Sequence, residues 1–369
     1  MTLGFVLGKF YPPHRGHRHL IETARRGCDR LVVLLPHHDS QRIPGELRQA
    51  WLREIHPDCE IHLVPDEVED GPELWAQFTI QHLGRAPDVV FSSEDYGPPF
   101  AAALGCRHVM VDRDRVAFPV SGTAVRSSPL EHLRWLEPCV RAYFVRRVVL
   151  IGAESTGKTT LARALARHYE TVWVPEFGRE YWEGKVTQGL PAGQPPTWPA
   201  GDGVESAAAP SAESTEAPSV EDVETRAVEA STGAPTAELA SDEFRVIAAE
   251  QQRREDAAAR VANRVLICDT NAFVTGTWHE RYRGHRDAAV DAIGARDRVH
   301  LYLLTEPDFP FVQDGWRDGE HVRDGMHARF QAQLAALPTP VVRLRGSPDA
   351  RMATAVAAID ALLAEPFDL

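Results

Sequence analysis

Short apolar runs alternate along this chain with segments whose apolar residues recur at helical spacing, the pattern of an α/β fold with parallel sheets. Gly4 to Leu7, Leu31 to Leu35, Ile61 to Val64, Val89 to Ser92 and Val109 to Val111 read as strands. Helices are expected over His17 to Arg26 and Leu47 to Ile55, with a closing helix over Glu131 to Arg141. A second alternation starts with the strand Val148 to Ile151, the helix Gly157 to His168 and the strand Thr171 to Val174. It resumes with a helix over Glu243 to Ala262, strands Val265 to Cys268, His300 to Leu304 and Val341 to Leu344, and a last helix capped by Ser347. The stretch between is rich in Pro, Gly, Ala, Ser, Thr and Glu and poor in aromatics. Such a segment buries too little apolar surface to offset its chain entropy, so residues 186–240 are expected to be a disordered insert. The expected domains are 1–145 and 146–369, each large enough for its own core.

Charge sharpens this picture. The formal net charge is -13, and residues 185–243 are acidic and almost free of Lys and Arg. That balance argues against a dedicated nucleic-acid binder while leaving local basic pockets for phosphates. The five cysteines are scattered without a Cys-x-x-Cys pair, which points to reduced thiols rather than a disulfide frame or a zinc site. The start lacks the layout of a signal peptide, and no apolar run approaches the length needed to span a bilayer, so a cytoplasmic enzyme is expected. The oligomeric state is not fixed by the sequence, and a homo-oligomer is compatible with it.

The first candidate chemistry is Gly8-Lys-Phe-Tyr-Pro-Pro-His-Arg-Gly-His17, which follows a strand and opens a helix. His14 and His17 would sit at a helix N-terminus, where backbone amides and the dipole favour an anion and two imidazoles can donate to phosphate oxygens. Lys9 adds positive charge, Gly16 permits close backbone approach, and Gly8 and Phe10 flank the same turn. A lone His-x-x-His is commonly two unrelated histidines. Here a second element accompanies it, Val120-Ser-Gly-Thr-Ala-Val-Arg126, at another loop-to-helix junction. Ser121 and Thr123 are natural N-cap residues, whether or not they do more, Gly122 lies between them, and Arg126 can fork onto a polyphosphate.

The second candidate is Gly152-Ala-Glu-Ser-Thr-Gly-Lys-Thr159, a P-loop pattern with the strand before and the helix after that the pattern demands. Gly152, Glu154, Ser155, Thr156, Gly157 and Thr160 belong to the phosphate cradle, Lys158 reaches the β and γ phosphates, and Thr159 ligates Mg²⁺. Leu266-Ile-Cys-Asp269 ends an apolar strand in a carboxylate suited to Mg²⁺, or to capping the next helix. Glu176 heads Glu-Phe-Gly-Arg-Glu-Tyr181 and could take the proton of a substrate hydroxyl, or simply start a helix. Arg179 and Tyr181 are candidate substrate contacts beside it. Pro310-Phe-Val-Gln-Asp-Gly-Trp-Arg317, with Arg323, reads either as a mobile lid whose arginines close over the transferring phosphoryl group or as a solvated loop.

Taken together, the His-x-Gly-His and Ser-Gly-Thr-x-x-Arg motifs resemble the nucleotidyltransferase superfamily. Ser92-Ser-Glu-Asp-Tyr-Gly97, Asp112 to Arg115, and Arg42-Ile-Pro44 with Arg48 and Trp51-Leu52 are similar to the nicotinamide mononucleotide (NMN) adenylyltransferase domain of bacterial NadR-type proteins. Gly152 to Thr160, Glu176 to Tyr181, Asp269-Thr270 and Asp314 to Arg317 resemble the ribosylnicotinamide kinase domain of the same proteins. The resemblance implies a Rossmann-like nucleotidyltransferase domain followed by a P-loop kinase domain. It implies ATP as substrate with Mg²⁺, ribosylnicotinamide and NMN as further substrates, and NAD as product, with no nucleic-acid or membrane partner. Within it, Trp75 would stack on the nicotinamide ring, although a tryptophan in a helix there could equally be core. The family's helix-turn-helix domain has no counterpart before Gly4, which removes a reason to expect transcriptional regulation. Two other readings stay open: the same chemistries on a pantetheine- or flavin-type precursor, and an NAD sensor with one degenerate site.

Overall fold

The strand Leu3–Leu7 (β1) is Leu-Gly-Phe-Val-Leu, apolar on both faces, because helices cover both sides of the sheet it centres. The structure, a computed structural model, describes residues 1–68, 71–198, 238–313 and 320–369. β1 is flanked by Arg30–His37 (β2) and Val89–Ser92 (β4), with Glu60–Pro65 (β3) and Arg107–Met110 (β5) at the edges, in the order β3-β2-β1-β4-β5. All pairings are parallel, with Gly4 opposite both Leu31 and Val89. One core lies on each face, around Val6, Ile21 and Val33 on one side and Phe5, Val32 and Phe100 on the other.

The second sheet centres on Arg146–Ile151 (β6). Trp173–Val174 (β7), Val265–Asp269 (β8), Leu301–Thr305 (β9) and Val341–Leu344 (β10) complete the order β10-β9-β6-β8-β7, again parallel throughout. In each sheet the strand order reverses beside the central strand, and crevices for ligands open there, beyond the carboxyl ends of the strands. Both phosphate motifs follow those central strands.

The expected α/β architecture is observed, and three of its differences from expectation bear on how the units are built. The closing helix over Glu131 to Arg141 is instead two short 3₁₀ turns, Pro129–Glu131 and Leu133–Trp135, followed by a helix over Pro138–Phe144. Pro138 disfavours helical backbone at the residue before it, which moves the start of the helix to the proline. The chain divides at 144/145, close to the expected boundary, but residues 366–369 belong to the first unit, where Phe367 packs against Phe144 with ring centroids 5.7 Å apart.

The third difference concerns the insert. Residues 199–237 lie outside the described residues, but both flanks are packed. The helix Phe177–Thr187 runs into the segment expected to be disordered, and Lys185 is fully buried. Its ammonium is paired with Glu243 and donates to the carbonyls of Pro191 and Gln194. Glu243 also accepts from the Tyr181 hydroxyl at 3.1 Å and from the amides of Gly193 and Ala240, each at 2.8 Å. One carboxylate thus ties the segment before residue 199 to the segment after residue 237. A buried pair of this kind is costly to halve, by about 3–5 kcal/mol. Composition missed it because the flank has few apolar residues and is held by polar groups.

Candidate functional sites for adenylyl and phosphoryl transfer

In the first unit β1 ends at Leu7 and the chain turns sharply. Phe10 adopts φ 45°, a conformation costly for a side chain, yet it is buried. The helix Arg15–Arg26 begins after His14, whose Nδ1 accepts from the His17 amide at 3.3 Å. That bond leaves the proton of neutral His14 on Nε2, available as a donor to the cavity it lines. The His14 and His17 rings stack 3.7 Å apart at 18°, and Phe10 abuts His17 edge-on at 5.0 Å. Gly16 makes the arrangement fit, since a Cβ there would come within 3.1 Å of the His14 ring. The close approach that requires glycine here is that of the His14 side chain.

Two stacked imidazoles cannot both be cationic at little cost. Burial, with Arg115 second, holds His14 down to about 4, and burial, His14 and Arg115 hold His17 well below its ordinary value. The pair is therefore neutral at pH 7, and Arg115 supplies fixed positive charge beside it. In the unfolded chain both would protonate near 6.5, so the unfolded state binds more protons between about 6.5 and 4 and the fold loses stability as the pH falls through that window. The expected result is that the His14 imidazole, followed by NMR in the free protein, stays neutral at pH 5.5. A midpoint near 6.5 would contradict the arrangement.

Sequence reasoning left Arg115 without a role, although Asp112 to Arg115 was visible as a motif. Asp112 (φ 47°) accepts from the amides of Val116, Ala117 and Phe118 at 2.8–3.3 Å, and Arg115 itself has φ 53°. The carboxylate thereby ties down the loop that carries the arginine. Such strain is not readable from residue types alone.

A cavity of about 600 Å³ gathers Gly8, Lys9, Phe10, His14, Gly16, His17, Trp75, Arg115, Ser121, Gly122, Thr123 and Arg126. Every residue expected at the first site thus lines one space. Lys9 is paired with Asp66 at 2.6 Å. Ser121 accepts from the Ala124 amide at 3.1 Å, so it does cap the helix Gly122–Ser127. Arg126 donates to the Tyr11 carbonyl at 2.5 Å and to Thr123 Oγ1 at 3.1 Å, and lies over the Tyr11 ring. Fully buried Arg48 donates to the Lys9 carbonyl at 2.5 Å and bears on the same ring, bracing the turn from below. Trp75 lines the cavity and is partly buried against the core, where it meets Phe78 edge-on at 5.7 Å.

In the second unit β6 delivers the loop Gly152–Gly157 to the helix Lys158–His168. Ser155 and Gly157 have φ 56° and 79°, which shape a turn suited to presenting successive amides to an anion. A Cβ on Gly152 would meet Thr305 Oγ1 at 2.1 Å, so that position requires glycine. Thr156 is buried, its hydroxyl bonded to the Ala153 carbonyl and to Thr305 at 2.8 and 2.7 Å, so its side chain braces the loop rather than contacting a nucleotide. Lys158 lies across the loop on the carbonyls of Gly152 and Ala153, each at 2.9 Å. Glu154 is a further charge beside Glu176, and Thr160 lies exposed in the first helical turn.

Thr159 donates to Asp269 Oδ2 at 2.5 Å. Asp269 is buried, and among the described residues its Oδ1 has no hydrogen-bond partner. Burial raises its pKa, while Lys158 and the Thr159 bond oppose that. A hydroxyl and a buried carboxylate with one oxygen unused form a donor set that fits Mg²⁺. Among the described residues no three His, Cys, Asp or Glu converge as a metal cage, so such an ion would be shared with nucleotide phosphates. Glu176, half-buried after β7, is pushed up to about 7 chiefly by burial, with Asp269 and Glu154 adding and Lys158 and Arg179 opposing.

Two expected contacts are corrected. Tyr181 is buried and spends its hydroxyl on Glu243, so it belongs to the clamp rather than to a substrate pocket. Arg323 donates to the carbonyls of Phe309 and Ser155, at 2.6 and 2.9 Å, and so pins the segment after β9 to the P-loop. Asp314 and Arg317 lie outside the described residues. Arg179 is exposed and pairs with Glu183 at 2.9 Å. Sequence reasoning missed Arg351, which is buried and donates to the Thr156 and Glu306 carbonyls at 2.7 and 2.8 Å. Its position inside an amphipathic helix, Pro348–Ala364, gave no signal.

The family described as an AAA domain matches residues 147–351, more than half of the chain. The chain belongs to the AAA-domain family. Ahead of its AAA domain, residues 5–127 match the cytidylyltransferase-like family. The chain is similar to the trifunctional NAD biosynthesis/regulator protein NadR of Escherichia coli (strain K12), at 26% identity over 341 residues, covering 86% of this chain and 72% of that protein. The NadR protein of Salmonella typhimurium (strain LT2) is equally similar, 26% identical over 339 residues with the same coverage. A crystal structure of a NadR protein in complex with NR has a TM-score of 0.69 at 20% identity, covering 100% of this chain and 98% of that one. Another, with NAD and AMP-PNP, has a TM-score of 0.64 at 19% identity, with the same coverage. These likenesses run through both the AAA domain and the unit before it, and they bear out the NadR-type resemblance carried by the motifs.

Proposed function

We propose that this chain makes NAD from ribosylnicotinamide in two ATP-consuming steps, one in each unit. The AAA domain phosphorylates ribosylnicotinamide to NMN, and the nucleotidyltransferase unit joins NMN to adenylate with release of pyrophosphate. The observation that carries this reading is the presence, in one chain, of a stacked histidine pair at one sheet's switch point and a P-loop with its Thr159–Asp269 pair at the other's. The similarity to NadR proteins along 86% of the chain supports the choice of substrates.

In the kinase step the ribose 5′-hydroxyl oxygen attacks the γ-phosphorus of ATP, the bond to the β-phosphate bridging oxygen breaks, and ADP leaves. Glu176 takes the hydroxyl proton, a task for which a pKa of about 7 suits it. Lys158 turns from its carbonyl contacts to the phosphates, and Thr159 and Asp269 would hold Mg²⁺, which supplies charge neutralisation on the β and γ phosphates. In the adenylyl step the NMN phosphate attacks the α-phosphorus of ATP and pyrophosphate departs. No covalent enzyme intermediate is needed, so catalysis is positioning and charge stabilisation. Neutral His14 and His17 donate to the reacting phosphates, while Arg115, Arg126, Ser121 and Thr123 receive the pyrophosphate portion. Trp75 offers its face to the nicotinamide ring. Reliance of both steps on ATP fits a cytoplasmic setting.

Product analysis tests the reading. With Mg-ATP, ribosylnicotinamide should give ADP, NMN and then NAD with pyrophosphate, while NMN alone should give NAD. Turnover of a pantetheine- or flavin-type precursor in place of both nicotinamide substrates would overturn it. So would nucleotide binding without product, the behaviour of a sensor.

A further inference from the structure

The helix Phe177–Thr187 has an unusual start. Its N-cap residue is Glu176, yet among the described residues the Glu176 side chain caps no amide of that helix. An N-terminal turn leaves four backbone N–H groups without helical partners, and a side chain at the cap commonly answers one of them. Here the first amide, that of Phe177, is answered from another element. It donates at 2.9 Å to Oε1 of Gln251, in the middle of the helix Ser241–Ala259. Gln251 is 2% exposed, and its Nε2 donates to Glu255 Oε1, also at 2.9 Å. An amide hydrogen on one side and a carboxylate on the other fix which end of the Gln251 side chain faces which.

The same two helices are joined again one turn along. Arg254 donates to both carboxylate oxygens of Glu180, at 2.5 and 3.1 Å, and its guanidinium lies 4.2 Å from the centre of the Phe177 ring. Gln251 and Arg254 thus grip the first turn of the Glu176 helix from one side, while Lys158, Asp269, Arg179 and Glu154 are charges that bear on the Glu176 carboxylate.

We propose that Gln251 is a positioning residue for phosphoryl transfer: by capping the Phe177 amide it relieves Glu176 of that duty and holds its carboxylate toward the P-loop. The inference rests on the reading of Glu176 as the base. Without the Gln251 acceptor the buried amide needs another partner, and the Glu176 carboxylate, on the adjoining residue, is a flexible acceptor that can turn back toward the helix N-terminus. Folding back onto its own helix would take it away from the substrate hydroxyl. The nucleotide would still bind, because the P-loop, Lys158 and Thr159 are untouched.

The experiment compares Gln251→Met and Gln251→Glu with Glu176→Gln and with the double variant Gln251→Met/Glu176→Gln, in the full chain. Turnover of ribosylnicotinamide and binding of a fluorescent ATP analogue are read together. Gln251→Met, similar in size but without the acceptor, should lower kcat about tenfold with ATP affinity kept, a loss in the range of base catalysis partly impaired. Gln251→Glu should recover most of the rate, because a protonated Glu can accept from Phe177 and donate to Glu255. In the Glu176→Gln background, Gln251→Met should cost less than about threefold more, since two residues acting through one group are not additive. A full further tenfold loss in the double variant would overturn the proposal. So would equal loss in Gln251→Met and Gln251→Glu, or loss of ATP binding in step with turnover. Undiminished turnover in Glu176→Gln alone would instead strike the assignment of the base.

Discussion

Replacing His17 by alanine is expected to lower NAD formation from NMN by about 10²–10³-fold, the scale on which removing one preorganised donor to a developing charge acts. Phosphorylation of ribosylnicotinamide should be unchanged in the same variant. The expectation rests on the geometry of the pair. His17 stacks on His14 at 3.7 Å and is abutted by Phe10, so its ring is placed by packing before any substrate arrives. Its Nδ1 is buried without a hydrogen-bond partner among the described residues, an arrangement costly to keep unless a ligand uses the ring. Alanine would also free His14 to move and so damage both donors at once. Assaying the two reactions separately checks this, and equal loss of both would mean that the chemistry is not divided between the units.

The second large effect separates the two carboxylates of the AAA domain. Glu176→Gln should reduce kcat by about 10²–10⁴-fold, the usual contribution of a general base, with ATP binding kept. Asp269→Asn should instead raise the Mg²⁺ concentration needed for turnover, because it halves neither the reach nor the size of the side chain but removes its charge. Asp269 already meets Thr159 at 2.5 Å and keeps its other oxygen unused, whereas Glu176 is half-buried and carries a pKa of about 7. A general base works ionised, so with Glu176 in that role turnover in the native chain should rise as the pH passes upward through about 7 and fall below it. A Mg²⁺ titration of each variant decides the roles. Rescue of Glu176→Gln by added Mg²⁺, with no rescue of Asp269→Asn, would exchange them.

The phosphate motifs were legible because their chemistry is local. A strand, a tight turn and a helix N-terminus occupy about a dozen consecutive residues, and both motifs lie where the strand pattern placed them. Asp269 was legible for the same reason, as a carboxylate ending an apolar strand. What escaped was held by groups distant in sequence. Arg323 reads as a lid or loop charge and Arg351 as a solvated helix charge, yet their guanidinium groups are spent on carbonyls of the P-loop, at Ser155 and Thr156. Tyr181 and Lys185 gave no hint that a glutamate some 60 residues on, Glu243, would bury them both. Arg115 owes its place to two left-handed backbone positions and to a carboxylate turned onto three amides, and none of these leaves a mark in a hydrophobicity pattern.

The return of residues 366–369 to the first unit makes the AAA domain a guest within its host. Its two chain ends meet, Arg146 donating to the Glu365 carbonyl at 3.4 Å, so the whole of residues 145–365 could in principle be lifted out and the gap closed by a short linker. A simple truncation at the boundary is a different operation. It would take Phe367 and Leu369 from the hydrophobic cluster that contains Phe144 and Val140, and leave the host with an uncovered apolar seam. A stand-alone adenylyltransferase derived from this chain therefore calls for excision of the guest with the tail retained.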